Sequence, residues 1–371
     1  MIQLELHDRI DAIGAAEWDG LVGRMREPAI YHSHDWARLW LRHFGGDAKP
    51  RIIALREGGR LIGLLPMALA AQRLKIFSRR RLAPLSSASP PAPQYLGPIC
   101  DPDREEPCLG AMASFLAAQP DADAIYFENF LPGQPAERLV QTLEARGRAA
   151  IRWTGETTYW VPLAEEAEAF LSLLNRKLRK NIVSARNRFA ATDGARIEAV
   201  TDLAGVSAAV EAFRRHSIAR LGEKGLHSTL HDRRMADFFA ELARACFERD
   251  RAIYFGAWLG DACIGTIFGL RMGSYICYYN GSFDPEFSNL SPGTLMIDAL
   301  CREAIVRGHR RLDMLGGFGE YKHRWAGENC AKLQLATVPL NTLKCLPFSV
   351  WERHKARRRD ENGGAKPSNE D

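Results

Sequence analysis

Between Leu174 and Phe189 the apolar residues Leu174, Leu178, Ile182, Ala185 and Phe189 recur every three or four positions. That period lays them on one face of a helix, expected over Leu173–Phe189. Arg176, Lys177, Arg179, Lys180, Arg186 and Arg188 fill the remaining faces. A second helix is expected over about Leu203–Leu221 and a third over Asp232–Arg249, with Asp232 as its N-cap. The pattern then shortens into apolar runs at Ala252–Leu259, Ala262–Met272 and Tyr275–Gly281, which read as strands. A helix from Gly293 to Arg307 follows, stopped by Gly308, and then strands at Arg311–Leu315 and Lys332–Val338.

The first half carries a weaker copy of this order. Arg51–Met67 reads strand, Gly58-Gly59 turn, strand, as Ala252–Phe268 does around Gly260-Asp261. Such turns need positive φ, which glycine supplies. Each hairpin is later followed by a short apolar strand, Ala124–Glu128 in one half and Arg311–Leu315 in the other. A repeat of this length is a domain duplication. The halves are placed at 1–160 and 161–345. The Pro/Ser-rich run Pro84–Pro98 reads as loop. Residues 352–371 lack apolar periodicity and are expected to form a disordered basic and polar tail.

Composition narrows the class. The chain has 371 residues, 46% hydrophobic and 26% charged, enough apolar material for sizeable cores. Nothing at the N-terminus resembles a secretory leader and no run is long enough to span a membrane, so a cytoplasmic protein is expected. Eight cysteines without CxxC pairs read as buried free thiols. The net charge of +5 is uneven: Gln72–Arg81 and Asn175–Arg188 together hold +11, leaving −6 for the rest. A broad nucleic-acid surface is therefore not expected, although two local patches suit phosphates. Metal binding is not expected either, since His227-x-x-x-His231 lacks a third ligand. Walker, G-x-S-x-G and H-E-x-x-H motifs are absent.

The informative stretch is Tyr278-Tyr279-Asn280-Gly281-Ser282, followed by Asn289-Leu290-Ser291-Pro292-Gly293-Thr294-Leu295. A strand leads through a loop into a helix whose first turn exposes free N–H groups and partial positive charge. Pro292 lacks a donor that the first turn does not need, Gly293 admits close approach, and Ser291 or Thr294 can add hydroxyl bonds. A pyrophosphate fits such a start, and so does an ordinary capped helix.

With Leu312–Trp325 added, the second half resembles the GNAT acetyltransferase superfamily. The resemblance is closer to the branch associated with cellulose and exopolysaccharide synthesis, which is related to Fem-type peptidoglycan transferases. Leu290-Ser291-Pro292-Gly293-Thr294-Leu295 and Tyr321-Lys322-x-x-Trp325 carry it, supported by Arg176–Asn181. It covers about Phe170–Val338. The first half matches loosely through Tyr31–Trp36 and the Gly58-Gly59 hairpin. The implied fold is α/β, two tandem GNAT-like units, each a mixed, mostly antiparallel twisted sheet flanked by helices. The implied co-substrate is acetyl-CoA or another acyl-CoA. Its pantetheine arm would lie along the backbone of Tyr278, Tyr279 and Asn280, and its pyrophosphate on Ser291–Leu295. The sequence departs from the common phosphate loop: Asn289 stands near the Arg/Gln position and only Gly293 remains of the spaced glycines.

Acyl transfer needs a base for the acceptor, donors for the oxyanion and a proton for the leaving thiolate. Asp313 and Glu320 are the candidate bases, with Asp313 equally suited to capping a turn. Tyr321 is the candidate acid. Lys322 is the candidate stabiliser, and the resemblance to Fem-type proteins places a lysine of this motif at the active site. Trp325 reads as core. On the acceptor side stand His34, Asp35, Trp36 and Tyr95, with Arg176, Arg179 and Lys180 as phosphate contacts; for Trp36 core packing competes. The expected reaction is acyl transfer to an amine or hydroxyl of a sugar or polysaccharide precursor, in contact with polysaccharide-synthesis machinery. The alternatives are a Fem-type aminoacyl-tRNA-dependent transferase, whose long helical arm the 203–249 helices are too short to supply, and a non-catalytic accessory protein.

Overall fold

The computed structural model describes residues 1–87, 93–223, 225, 227–317 and 319–361. It divides into two compact units: unit 1 is 1–158, 316–318 and 331–371, and unit 2 is 159–315 and 319–330. The first boundary lies two residues before the expected one. The segment after 330 departs from expectation more, because it belongs with unit 1.

In unit 1, β1 (Ile2–His7) is followed by α1 (Ala15–Arg24), α2 (His34–Phe44), β2 (Lys49–Glu57), β3 (Arg60–Leu74) and β4 (Phe77–Pro84). Then come β5 (Ile99–Cys100), α3 (Glu105–Ala117), β6 (Ala124–Phe130) and α4 (Pro135–Glu144). Strand β7 (Ile151–Pro162) carries the chain into unit 2. There the order is α5 (Phe170–Leu173), α6 (Arg176–Ala190), β8 (Ala195–Ala199), α7 (Leu203–Glu223), α8 (Arg233–Glu248), β9 (Ala252–Leu259), β10 (Ala262–Met272), β11 (Tyr275–Phe283), α9 (Pro292–Val306), β12 (Arg311–Gly316) and α10 (Glu320–Ala326). Strand β13 (Cys330–Pro339) and α11 (Thr342–Glu361) close the chain in unit 1.

The two units share one plan. In unit 1 the strands run β1-β2-β3-β4-β6-β13, and in unit 2 β12-β11-β10-β9-β8. The hairpins are antiparallel, whereas β4 pairs β6 and β11 pairs β12 in parallel, each across an intervening helix, α3 or α9. A parallel pair needs such a crossover, which is why the repeat is strand-hairpin-helix-strand. The unit 2 core joins Leu178, Ile182, Ala185 and Phe189 of α6 to Ile267, Leu300 and Leu312. The predicted apolar face of the basic helix is therefore the buried one.

Three expectations are corrected. The helix expected over Leu173–Phe189 is broken at Asn175, whose side chain caps α6 by accepting from Leu178 N at 2.9 Å. Residues Glu320–Ala326, for which no helix was expected, form α10 and carry Tyr321 and Lys322. Residues 352–361, assigned to a disordered tail, continue α11, and 362–371 lie outside the described residues. Burial of Cys345 and Phe348 on one side of α11 anchors that helix, which no apolar run in the tail announced.

Candidate functional site

Strand β11 holds the first element of the site. Opposite β10, Phe268 faces Asn280 and Gly269 faces Tyr278, so Tyr279 is an extra residue. A bulge of this kind bends its strand and raises local twist. Against β12, the paired position is Cys277 opposite Asp313, ahead of the bulge. Beyond it, Asn280–Phe283 remains paired to β10 alone. Among the described residues the pairing of β11 with β12 thus stops before the bulge, which is where an extended ligand would have to enter between the two parallel strands. The Tyr279 ring stacks on Phe239 with centroids 6.0 Å apart and belongs to the core.

The second element is the start of α9. Ser291 sits in the left-handed region at φ 57° and ψ 43°, ahead of Pro292. A non-glycine residue there costs about 1–2 kcal/mol, a strain that persists only when its surroundings impose it. Thr294 N and Leu295 N donate back to Ser291 O at 3.1 and 3.2 Å, leaving Gly293 N–H outside that arrangement. The first turn holds no acidic residue. Arg188 of α6 donates to Ser291 Oγ at 3.1 Å, so a guanidinium stands against the positive end of the helix. A Cβ at Gly293 would lie 3.1 Å from the Phe283 ring. Asn289 is exposed.

Unit 1 offers a contrast at the equivalent helix. Helix α3 opens with Glu105 and Glu106 in its first turn, and the buried Glu105 pairs with Arg138. Carboxylates there neutralise the helix end and repel a phosphate. Beside it, a cavity of about 360 Å³ is lined by His32, Tyr95, Glu105, Gln134 and Arg138, among others. Tyr95 is buried, its hydroxyl bonded to Thr158 Oγ1 at 2.9 Å. His32 accepts from Ala29 N through Nδ1 and bonds Tyr95 O through Nε2, and burial pushes its pKa down to about 4. The other acceptor-side candidates are core. Trp36 is 1% exposed and donates to Ser86 Oγ; His34 packs edge-on to Trp18; Asp35 pairs with Arg38.

The third element is α10. Tyr321 faces Tyr278, their rings edge to face with centroids 6.1 Å apart. Burial raises the pKa of both phenols, so each stays protonated through neutral and mildly alkaline pH. Lys322 is 9% exposed and its Nζ donates to Leu315 O at 3.4 Å. Asp313 is buried and accepts from Leu315 N at 2.7 Å and from Tyr275 O–H at 3.2 Å. It holds the turn at Leu315, whose φ is +61°, which is the capping role. Glu320 is exposed at the start of α10. Trp325 stacks on Phe170 in the core.

Arg188 lay in the Asn175–Arg188 patch read as suited to phosphates but was not singled out, and Arg220 escaped the sequence reading. Arg188 reaches α9, whereas Arg176, Arg179 and Lys180 of the same helix lie exposed near its other end. Arg220 of α7 lies over the Phe283 ring at 5.0 Å and acts electrostatically on both Tyr278 and Tyr321. The position of Arg188 on the same helix, about two turns beyond the Arg176–Lys180 cluster, was the available signal; nothing in the spacing of α7 marked Arg220.

Residues 176–323 match the family described as Acetyltransferase (GNAT) domain. Three solved structures share the fold. One is FemX, at 14% identity and TM-score 0.65, covering 93% of this chain and 100% of that one. The second is a conserved protein of unknown function from Bacteroides thetaiotaomicron, at 11% identity and TM-score 0.60, covering 91% and 100%. The third is the C-terminal domain of a putative lysylphosphatidylglycerol synthetase from Agrobacterium fabrum, at 11% identity and TM-score 0.52, covering 87% and 91%. No curated protein matches the sequence. The chain thus carries a GNAT acetyltransferase domain within two α/β units of one plan, and it is an acyl-transferring enzyme.

Proposed function

We propose that the protein moves an acetyl or longer acyl group from acyl-CoA to an amine, or a hydroxyl, of a sugar or polysaccharide precursor. The observation that supports the donor is the end of the β11–β12 pairing before the Tyr279 bulge, in the same unit as an acid-free helix start that Arg188 reaches. Pantetheine would add itself as a strand along Tyr278–Asn280, and the pyrophosphate would take Gly293 N–H and Arg188. Without an anion, a guanidinium beside a helix N-terminus is a repulsive arrangement; a phosphate turns both charges to advantage.

The chemistry then falls to α10. The acceptor nitrogen attacks the thioester carbonyl, Lys322 stabilises the developing oxyanion, and Tyr321 gives its proton to the leaving thiolate. Tyr278, whose ring packs edge to face against Tyr321, is the nearest second phenol. Of the two candidate bases Glu320 is the better placed, since Asp313 is buried with two donors already bound. Arg220 adds positive charge beside the tyrosine pair, suited to an anionic acceptor group. The acceptor class rests on the likeness of Leu290–Leu295 and Tyr321-Lys322-x-x-Trp325 to the polysaccharide branch. Helices α7 and α8 pack on the sheet through Phe213, Phe239 and Phe268, so they form no projecting arm of the kind a tRNA-dependent relative uses.

The test is free-thiol release from acetyl-CoA in the presence of a panel of amino sugars and nucleotide-linked amino sugars. Acceptor-dependent release by wild type, lost in Lys322→Met, is expected. Equal thiol release with and without every acceptor would contradict the reading.

A further inference from the structure

Helix α11 buries one face and leaves a second apolar face bare. Cys345, Phe348 and Glu352 are buried at 1%, 0% and 5% exposure, spaced as one helical stripe. On the opposite side Leu343, Leu346 and Val350, with the same spacing, are 86%, 60% and 63% exposed, and Trp351 beside them is 38% exposed. A globular helix needs only one apolar stripe, so the second serves something outside the fold.

The same unit carries another bare apolar point. The β3–β4 turn reads Leu74-Lys75-Ile76-Phe77, with Ile76 90% and Phe77 46% exposed. Lys75 there adopts φ +53°, a conformation for which Gly or Asn is the inexpensive choice. Turn geometry therefore does not explain an isoleucine and a phenylalanine at this tip.

The two features are linked through β4. Asp123, bonded to Arg80, receives Lys344 Nζ and Cys345 Sγ from the start of α11. Farther along, Phe348 lies under the Arg79 guanidinium at 4.3 Å and Glu352 forms a buried ion pair with Arg79. The helix is thus held to Arg79 of β4, two residues from Phe77. Its backbone continues into a segment whose sequence, 353–359, holds Arg353, Lys355, Arg357, Arg358 and Arg359 without an acid. Around the turn stand Arg73, Lys75 and Arg80, all exposed.

We infer that α11 and the β3–β4 turn form a docking surface for an anionic membrane leaflet. Bare aliphatic and aromatic side chains beside a dense basic segment are the two signals that reversible membrane binding requires: shallow apolar insertion and attraction to acidic headgroups. Either alone gives weak association. No helix among the described residues is long and apolar enough to cross a membrane, so the contact is peripheral. The basic residues complement a negative leaflet, whereas a second copy of the same surface would set like charges against each other.

The test is cosedimentation of the full chain with phosphatidylcholine vesicles, with and without about one-third phosphatidylglycerol. Binding to the acidic vesicles alone is expected, reduced severalfold by 0.5 M salt, about the concentration at which screening becomes short-ranged. Leu346→Asp with Val350→Asp, and separately Ile76→Ser with Phe77→Ser, should each lower the bound fraction at least severalfold at unchanged melting temperature. These positions are exposed, so neither variant disturbs the core. Equal binding to neutral and acidic vesicles, or none to either, would overturn the inference. So would a dimer in solution that the same substitutions dissociate.

Discussion

Arg188 Nη2 donates to Ser291 Oγ across 3.1 Å, joining the basic helix α6 to the left-handed residue that opens α9. The bond fixes a positive charge where the helix already presents one. If this pair cradles a pyrophosphate, Arg188→Gln should weaken acyl-CoA binding about tenfold, the worth of one charge-assisted hydrogen bond. The dependence of affinity on salt should flatten with it. Replacing Arg176, Arg179 and Lys180 together by Gln should change affinity much less, because no contact ties them to α9. Calorimetric titration with acetyl-CoA distinguishes the two sets; equal losses would return the phosphate contact to the exposed cluster.

Gly293→Val should also weaken acyl-CoA binding, but through Phe283. The added Cβ lies 3.1 Å from that ring, so the ring, at the end of β11, must shift. A loss of affinity with a melting temperature within a few degrees of wild type is expected. A folded variant with unchanged affinity would remove the α9 start from the donor site.

Lys322→Met keeps the aliphatic stem and removes the charge. The expected result is a loss of about 10²-fold in kcat, the size of one electrostatic stabiliser. The stability cost should be small, since the methionine stem keeps the packing of the lysine stem. Tyr321→Phe should lose less, because Tyr278 or water can replace the proton donor. As burial raises the Tyr321 pKa, wild-type kcat should show no alkaline decline below the ordinary tyrosine range. A normal kcat in Lys322→Met would make α10 structural and turn the search to Glu320.

His32 gives a pH dependence of stability. Its folded pKa is about 4 against 6.5 for the free side chain, with burial as the main cause. Between those values the unfolded chain binds more protons, so stability falls as pH falls. From pH 7 to 5 the contribution is about 2 kcal/mol. Urea unfolding at both pH values should show that loss in wild type and a shallower one in His32→Phe. Identical pH slopes would contradict the assignment.

Much of unit 2 was legible in sequence because its elements carry strong local signals. The hairpin at Gly260, the Asp232 cap and the apolar face of α6 each depend on residues a few positions apart. The break at Asn175 was hidden because the apolar period continues through it. The bulge in β11 rests on one extra residue, Tyr279, whose presence shows only when two strands are laid side by side. His34, Asp35 and Trp36, read as acceptor-side residues, are buried: polar and aromatic residues at a helix start pack inside as readily as they bind, here against Trp18, Arg38 and Ser86. Arg220 became visible only through the fold, which brings α7 to Phe283.

The most direct measurement is titration of the whole protein with acetyl-CoA and with dephosphorylated pantetheine, comparing wild type with Arg188→Gln. Saturable binding of acetyl-CoA at one site is predicted, weakened in the variant, with pantetheine binding far more weakly and alike in both proteins. Absence of binding by acetyl-CoA and by longer acyl-CoAs to the folded wild type would contradict a donor site between β11, β12 and the start of α9.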